Sequence, residues 1–512
     1  MWECLPVISA RTLALLAALT LFHLWQIGNG QWPLSADEAH YWEWSRRLDW
    51  SYYSKGPMVA YLIAASTWLG GSSPFWIRLP AVLLGTGVAA LAAIQAAQMF
   101  RSDRAGLLVV GILGVVPLYA AGSLIMTIDP PFVFCWGLAG FCLWRAIQRK
   151  GEAAWYGVGV AFGLGLLSKY TMLMLIPCVL LWLGGSPRLR LWLRRREPYE
   201  ALLIGLLIFS PVVVWNARHG WLSGRHVLVQ AGGGIGRDLW TTLLGGLEFL
   251  GSQLGLVSPL LFLLLLGALA WAGREGLDRG RDDCWLLVCL SLPVLLFFQV
   301  WGFLNKVQGN WAAHGYLTAI IALAGWAQTW HEWGPRREHS RRLKLCLRAS
   351  IILPAVLLAV FLLLDRGLFG LRIPERLDLI GKRLRGWPEL GEAVGSAVRG
   401  TGGKPFLVSD RYQIASQLAY HVPGQPRVYN ANLGRRMNQY DLWGGWEELR
   451  GQDALFVTYG RVEPPPEVAQ AFRRVERLRV VSIVDRGKHW RDFTIIRGEG
   501  FLGFPPRPFS GY

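Results

Sequence analysis

Charge is scarce in this 512-residue chain, where Asp, Glu, Lys and Arg make up only 17% of the residues. A soluble protein of this size carries nearer a quarter. The shortage excludes an ordinary water-soluble fold. Stretches such as "SPLLFLLLLGALAWAG" and "LRASIILPAVLLAVFLLL" approach the ~20 residues a helix needs to cross ~30 Å of hydrocarbon. Cysteine is sparse as well: seven residues, no CxxC pair, and none beyond residue 365. The tail therefore needs no disulfide framework even in an oxidising compartment. The nine histidines show no His-x-x-x-His or paired His/Cys spacing, so no metal site announces itself. The net charge of +18 forms no basic stripe with interleaved aromatics, and no nucleic-acid partner is expected. No convincing internal repeat appears either.

Apolar runs are what the chain has in abundance. They predict a polytopic α-helical membrane protein with about eleven spans, near 8–27, 80–99, 106–122, 131–147, 154–168, 170–184, 201–218, 248–272, 285–302, 311–330 and 349–364. The first is read as a retained helix, because it has one basic residue, Arg11, and no persuasive cleavage site. "PMVAYLIAASTWLGG" is expected to lie along the membrane surface. Arginine and lysine crowd alternate loops, among them "RAIQRK", "PRLRLWLRRREP" and "PRREHSRRLKLCLR". The positive-inside bias makes those loops cytoplasmic and places the opposite loops, with the tail, outside. From about residue 365 the composition changes. "KPFLVSD", "PRVYN", "ALFVTYG" and "RVVSIV" read as strands, "RYQIASQLAYHV" and "PPEVAQAFRRVERL" as helices. The expected division is 1–364 transmembrane and 365–512 a small extracytoplasmic α/β domain with a partly parallel sheet.

The outer loops hold the polar residues that bulk hydrophobicity does not require. "SADEAHYWEWSRRLDWSYYSKGPM" sets Asp37 and Glu38 just after the first span and Lys55 before Gly56-Pro57. Asp129 follows in "MTIDPP" and Lys169 in "GLGLLSKYT". A carboxylate at a helix start often only caps it, and an interfacial lysine often only anchors. Two acidic sites and two lysines on one side of a membrane, on loops short enough to converge, point instead to a shared polar site. His40, three residues after Asp37, lacks the partners of a metal ligand, and His314 reads as a satisfied helix residue rather than a ligand. "AGGGIG" at 231–236 follows no predicted strand and is taken as a loop, not a phosphate cradle.

"ADEAHYWEWSRRLDWSYYSKGPMVAYLI", "LIMTIDPPFVFCWGLAGFCLWRA", "GLGLLSKYTMLMLIP", "NWAAHGYLTAIIALA" and "DRYQIASQLAYHVPGQPRVYNANLGRRMNQYDLW" resemble, in order, segments of glycosyltransferase family 39. These are the protein O-mannosyltransferase-like proteins, with the related aminoarabinose transferases of lipid A. The resemblance implies a C-type glycosyltransferase fold with a large first outer loop. It implies an inverting transfer of a sugar from a polyprenyl-phosphate donor to a lipid, glycan or protein acceptor outside a bacterial inner membrane. It assigns Asp37 as the base or acceptor-positioning carboxylate, Glu38 and Asp129 to the catalytic cavity, to hold sugar or acceptor or a divalent ion if one is used, and Lys55, with Lys169 as a second cation, to the donor phosphate. His40, Tyr41, Tyr52, Tyr53 and Tyr170 are assigned to the substrate, with Trp42 a further stacking candidate. Arg411 and Tyr412 belong to a tail expected to cap the cavity. A divalent cation is left open. The family commonly has Lys-Pro-Pro where this chain has Lys55-Gly56-Pro57, and Ser54 stands where the aminoarabinose branch is often acidic.

The chemistry fits those residues. A phosphate leaving group needs no acid to protonate it; it needs cations where its charge develops. One carboxylate must take the acceptor's proton. A glycosidase would want two carboxylates flanking the bond. The alternative of a transporter or flippase predicts charges near the bilayer midplane and paired repeats, neither of which the sequence offers.

Overall fold

The computed structural model describes residues 8–30, 32–148, 151–232, 238–330, 337–366, 378–485 and 488–505. Its first helix, α1 (Ala10–Gly28), starts at Ser9, whose hydroxyl accepts from the Thr12 amide. The loop that follows carries two short helices, α2 (Ala36–Ser45) and α3 (Met58–Gly70). Then come α4 (Pro74–Met99), α5 (Asp103–Val115) and α6 (Pro117–Gly122). The last two are one apolar run broken where Pro117 has no amide to donate and Val116 is extended. α7 (Asp129–Ala146) opens on Asp-Pro-Pro, with proline where a helix's first amides are free anyway.

α8 (Ala154–Ser168) packs along α11 (Glu197–Arg218) through glycines. A Cβ on Gly159 would lie 2.4 Å from the Ala201 carbonyl oxygen, and one on Gly205 2.5 Å from the Phe162 ring. Small residues of this kind let membrane helices approach closely. Between them lie a 3₁₀ turn at Tyr170–Met174, α9 (Leu175–Gly184) and α10 (Pro187–Arg190), the chain bending by 119° after α9. α12 (Leu222–Gly232), α13 (Leu239–Val257), α14 (Pro259–Leu277), α15 (Asp282–Leu304), α16 (Ala313–Thr329) and α17 (Arg337–Asp365) complete the bundle.

Six helices among the described residues are long and apolar enough to cross a bilayer alone, or seven if the bent pair is one span. About eleven were expected. The expected span 248–272 is two helices, broken at Ser258, whose φ is +78°. α8 has only 15 residues and α16 only 17, and nearly all of α16 is buried. Both are largely buried against neighbouring helices. The "AGGGIG" run lies largely outside the described residues.

After α17 the chain forms α18 (Leu379–Leu384), α19 (Trp387–Gly400), β1 (Phe406–Ser409), α20 (Tyr412–His421), β2 (Val428–Asn430), α21 (Gln439–Trp443), β3 (Ala454–Tyr459), α22 (Pro466–Gln470), β4 (Phe472–Asp485) and β5 (Lys488–Phe501). The sheet order is β2-β1-β3-β5-β4, with β2, β1 and β3 parallel and β5 and β4 antiparallel. The expected helix at 465–478 is only its first turn, α22. From Phe472 onward the chain is strand, in register with β5 from Phe472↔Phe501 to Asp485↔Lys488. Helix-favouring residues such as Arg473, Arg474 and Glu476 yield there to tertiary pairing.

This sheet unit sits on the first outer loop. Gln417 donates to the Leu34 carbonyl at 2.7 Å, Arg46 to the Gln425 carbonyl at 2.9 Å and Tyr420 to the Ser72 carbonyl at 2.9 Å. One buried apolar cluster includes Trp42, Trp44 and Tyr52 from the loop together with Leu390, Leu418 and Phe493 from the sheet unit. The loop and the sheet unit therefore share a core, and a cavity is enclosed between them and the helix ends.

Candidate active site

The site begins with the cap of α2. Ser35 accepts the Glu38 amide at 3.2 Å, and the Glu38 carboxylate accepts the Ser35 amide at 2.9 Å. This reciprocal cap satisfies the helix start without Asp37. Glu38 is spent further. Arg78 of α4 grips it with two bonds, 2.7 and 2.9 Å, and the Met126 amide donates at 3.2 Å. The carboxylate is fully buried and does not reach the cavity, contrary to its expected catalytic place. Arg78 in turn holds the carbonyls of Trp32 and Pro33. The pair thus ties α2 to α4 and to the segment that leads into Asp129.

Asp37, one residue earlier, opens into a polar cavity of about 660 Å³. Among the described residues its one hydrogen-bond partner is the Tyr412 hydroxyl, which donates at 3.4 Å. Burial raises its pKa above the usual carboxylate value; Tyr412 and Lys55 oppose the rise, and Glu38 adds to it. Lys55 lines the same cavity. Among the described residues no carboxylate lies within ion-pair distance of it. Burial, then repulsion from Lys169, lowers its pKa to about 8. Its loop is pinned by the Tyr52 amide, which donates to the Lys55 carbonyl at 3.2 Å. Gly56 explains the departure from Lys-Pro-Pro. A Cβ there would stand 2.1 Å from the Leu167 carbonyl oxygen, so the end of α8 leaves no room for a side chain.

Asp129 and Lys169 also line the cavity, paired at 2.8 Å. Asn310 donates to the other oxygen of Asp129 at 2.5 Å, and Lys169 lies over Phe132 and Trp311. The four charged residues singled out in the sequence other than Glu38 thus meet in one chamber.

The aromatic and histidine assignments divide. Tyr41, Tyr53 and His40 form part of the wall. His40 has both ring nitrogens engaged, with Ser416 at 3.1 Å and with the Trp44 indole N–H at 3.1 Å. Burial pushes its pKa down to about 3, so it is a neutral wall residue with no nitrogen free for a metal. Tyr52, Tyr170 and Trp42 do not reach the cavity. Tyr52 is stacked on Trp44 at 4.2 Å with its hydroxyl on the Trp44 carbonyl, Tyr170 packs against Phe209, and Trp42 against Tyr420. Large rings on an interfacial loop fill its core as readily as its mouth, and periodicity does not separate the two. His314 is fully buried among Phe132, Trp136 and Phe298. Among the described residues no three His, Cys, Asp or Glu side chains converge as a metal site would require.

Sequence reasoning missed much of the far wall. Besides Arg411 and Tyr412, the sheet unit contributes Asn432, Arg435, Arg436 and Asn438 from the loop between β2 and α21. That loop lies in "NANLGRRMNQYDLW", whose polar character was visible but whose position over the cavity was not. A second cavity, about 270 Å³ and largely apolar, meets the first at Thr127, Asp129 and Asn310. It runs between α1, α4, α5, α6 and α7, lined by residues such as Leu16, Val88, Leu113 and Val133.

Residues 54–215 match the family described as dolichyl-phosphate-mannose-protein mannosyltransferase. Over 418 residues the chain is 30% identical to the lipid A galacturonosyltransferase RgtD of Rhizobium johnstonii, covering 80% of this chain and 82% of that protein. It is 31% identical over 219 residues to the undecaprenyl phosphate-alpha-4-amino-4-deoxy-L-arabinose arabinosyl transferase of Pseudomonas paraeruginosa, 38% of this chain and 39% of that one. The fold is similar to ArnT from Cupriavidus metallidurans bound to undecaprenyl phosphate, with a TM-score of 0.62 at 15% identity, covering 97% of this chain and 100% of that chain. It is also similar to the Archaeoglobus fulgidus oligosaccharyltransferase in the apo form, with a TM-score of 0.54 at 13% identity over 88% of this chain and 69% of that one. The chain is a multi-pass membrane protein and belongs to the family 39-like, C-type glycosyltransferases, enzymes that use polyprenyl-phosphate-linked sugars.

Proposed function

We propose that this protein moves a sugar from a polyprenyl-phosphate donor onto an envelope glycolipid of the lipid A type, at the outer face of a bacterial inner membrane. The observation that carries the reading is that an open carboxylate, Asp37, and an open cation, Lys55, line one polar cavity, which shares Thr127, Asp129 and Asn310 with a neighbouring apolar one. The polar chamber is of a size for a sugar phosphate. The apolar one offers a course for the start of the polyprenyl chain. Residues 1–364 form the membrane part, and the unit from 365 onward closes the chamber from outside.

Asp37 takes the proton of the acceptor hydroxyl while that oxygen forms a bond to the anomeric carbon. On the opposite side the bond from that carbon to the phosphate oxygen breaks, and its electron pair leaves on the polyprenyl phosphate. Attack from the face opposite the leaving group inverts the centre. Lys55 meets the charge that develops on the phosphate. Its depressed pKa marks a cation short of partners, which an anionic donor supplies. Asp129 lines both cavities and Lys169 the polar one, and the pair orients the phosphate and fixes the entry of α7. Glu38 and Arg78 are positioning residues: they hold Asp37 and the Asp129 segment without touching substrate. A transporter has no comparable support, because these charges line a chamber beneath an outer cap.

The test is reconstitution of the purified protein in proteoliposomes that contain lipid A and an undecaprenyl-phosphate sugar. Release of undecaprenyl phosphate together with a lipid A species heavier by one sugar residue is expected. Release without a glycosylated product would overturn the transferase reading.

A further inference from the structure

Two helices of the outer sheet unit reach the two groups that the transfer uses. From α21, the side-chain oxygen of Gln439 accepts the buried Tyr53 amide at 2.7 Å, two residues before Lys55. From α20, the Tyr412 hydroxyl donates to Oδ1 of Asp37 at 3.4 Å. Tyr412 opens α20, and its carbonyl accepts the Ser416 hydroxyl at 2.7 Å. The Ser416 oxygen is also bonded to His40 Nδ1 at 3.1 Å and to the Tyr440 hydroxyl at 3.0 Å. An indole can only donate, so the Trp44 N–H fixes His40 Nε2 as an acceptor and leaves the ring proton on Nδ1, toward Ser416. The His40 ring lies 4.8 Å from that of Tyr412. A buried network therefore joins α2, which carries Asp37, to α20, which carries Tyr412.

Docking does not need the Tyr412 hydroxyl. Gln417, Arg46 and Tyr420 already fasten the sheet unit to the first outer loop, over a shared apolar core. Among the described residues the Tyr412 hydroxyl donates to no acceptor but Asp37. Burial, and then Asp37 itself, raise the pKa of Tyr412, so the phenol keeps its proton to donate. Lys55 and Arg383 also favour the charged form of Asp37, Glu38 opposes it, and Tyr41 beside it stays neutral. Of these groups only Tyr412 makes a hydrogen bond to the carboxylate. The bond engages one oxygen and leaves Oδ2 for a proton. Its length is that of a site without substrate, where catalytic hydrogen bonds are often long and tighten in the complex.

We infer that Tyr412 is the positioning residue of the base: from the outer sheet unit it holds Oδ1 of Asp37 and leaves Oδ2 turned to the acceptor hydroxyl. The sheet unit is then part of the active site and not only its cover. The inference rests on the lipid-linked transfer proposed above. The bonds made and broken at the anomeric carbon are those already described. The acceptor's proton goes to Oδ2, and the phenolic proton stays on Tyr412 throughout.

The test uses the full-length protein in proteoliposomes with lipid A and an undecaprenyl-phosphate sugar, with rates expressed per folded molecule. Tyr412→Phe keeps the ring against His40 and removes only the hydroxyl. Its kcat should fall about tenfold, as when a reacting group loses its alignment, with the donor KM unchanged because Gln439 still holds the turn of Lys55. The acid limb of kcat/KM should move to higher pH, since the lost bond lowers the pKa of Asp37. Tyr420→Phe removes a docking bond of the same unit and should leave that limb in place. In the Asp37→Asn protein, adding Tyr412→Phe should lower the single-turnover rate no further, because the hydroxyl acts through the carboxylate. An acid limb that Tyr412→Phe does not move overturns the inference. So does an equal movement in Tyr420→Phe, which would make the effect one of docking. A further fall on the Asp37→Asn background gives the hydroxyl to the substrate and likewise overturns it. All three leave the transferase reading intact. No transfer by the wild-type protein overturns that reading, and the inference with it.

Discussion

Asp37 and Glu38 leave the same turn of α2 about 100° apart, and their surroundings could hardly differ more. Glu38 is fully buried and receives four hydrogen bonds, from Ser35, Met126 and twice from Arg78. Asp37 opens to the cavity with one long bond from Tyr412. The lysines repeat the contrast: Lys169 is paired with Asp129, whereas Lys55 has no carboxylate at ion-pair distance among the described residues. A charge that the fold has already satisfied contributes to structure. A charge left open in a polar chamber is available to a substrate. The contrast assigns chemistry to Asp37 and Lys55 and scaffolding to Glu38 and Arg78.

The sharpest way to break that division is Asp37→Asn. Transfer should fall by about 10³-fold, as expected for loss of a general base, while the unfolding midpoint stays put; near-normal turnover would remove Asp37 from the mechanism. Glu38→Gln should do the opposite. Leaving Arg78 buried and uncompensated costs about 3 kcal/mol, measurable by denaturant titration in detergent. Adding Arg78→Met should recover part of that loss. Third, Lys55→Met should lower kcat by about 100-fold through loss of charge stabilisation at the phosphate.

The same two groups set the pH dependence of kcat/KM for the donor. Lys55 must be protonated, so activity falls as pH rises through its value of about 8. Asp37 must be ionised, and its pKa is raised, so the acid limb should lie above that of an ordinary carboxylate. A Lys55→Arg variant should move the alkaline limb upward; a limb that stays in place would belong to another group. The smallest effect concerns the loop beneath Lys55. Gly56→Pro restores the family's usual Lys-Pro-Pro but forces ring atoms against the Leu167 carbonyl. It should cost about 2 kcal/mol of stability, read from the unfolding midpoint. A stabilised variant would show that the loop is free of α8.

The sequence made Asp37, Lys55, Asp129 and Lys169 legible because isolated charges between apolar runs have few structural reasons to exist. It could not separate Asp37 from Glu38, because the partner that claims Glu38 is Arg78, forty residues on and inside α4. Tyr52, Tyr170 and Trp42 looked like stacking platforms because an interfacial loop uses rings both to fill its core and to face its ligand. The bounds of the spans were harder to read: the apolar run 248–272 is divided at Ser258, whose φ of +78° leaves no trace in hydropathy. In the tail, the parallel strands were readable from short apolar runs between turns. The second half of β4 was readable too, as "RVVSIV", but its Arg- and Glu-rich beginning was not, since that becomes strand only by pairing with β5. The arginines of the far wall were present in the sequence as a polar loop, and only the docking of the sheet unit over the first outer loop gives them something to face.

The central claim is tested most directly by comparing Asp37→Asn and Glu38→Gln in single-turnover transfer from an undecaprenyl-phosphate sugar, with rates expressed per folded molecule. The account predicts that the Asp37→Asn protein is fully folded and transfers almost nothing, whereas the less stable Glu38→Gln protein keeps at least roughly a tenth of the wild-type rate, as befits a residue that acts only through position. A folded, active Asp37→Asn protein beside a folded, inactive Glu38→Gln protein would contradict it.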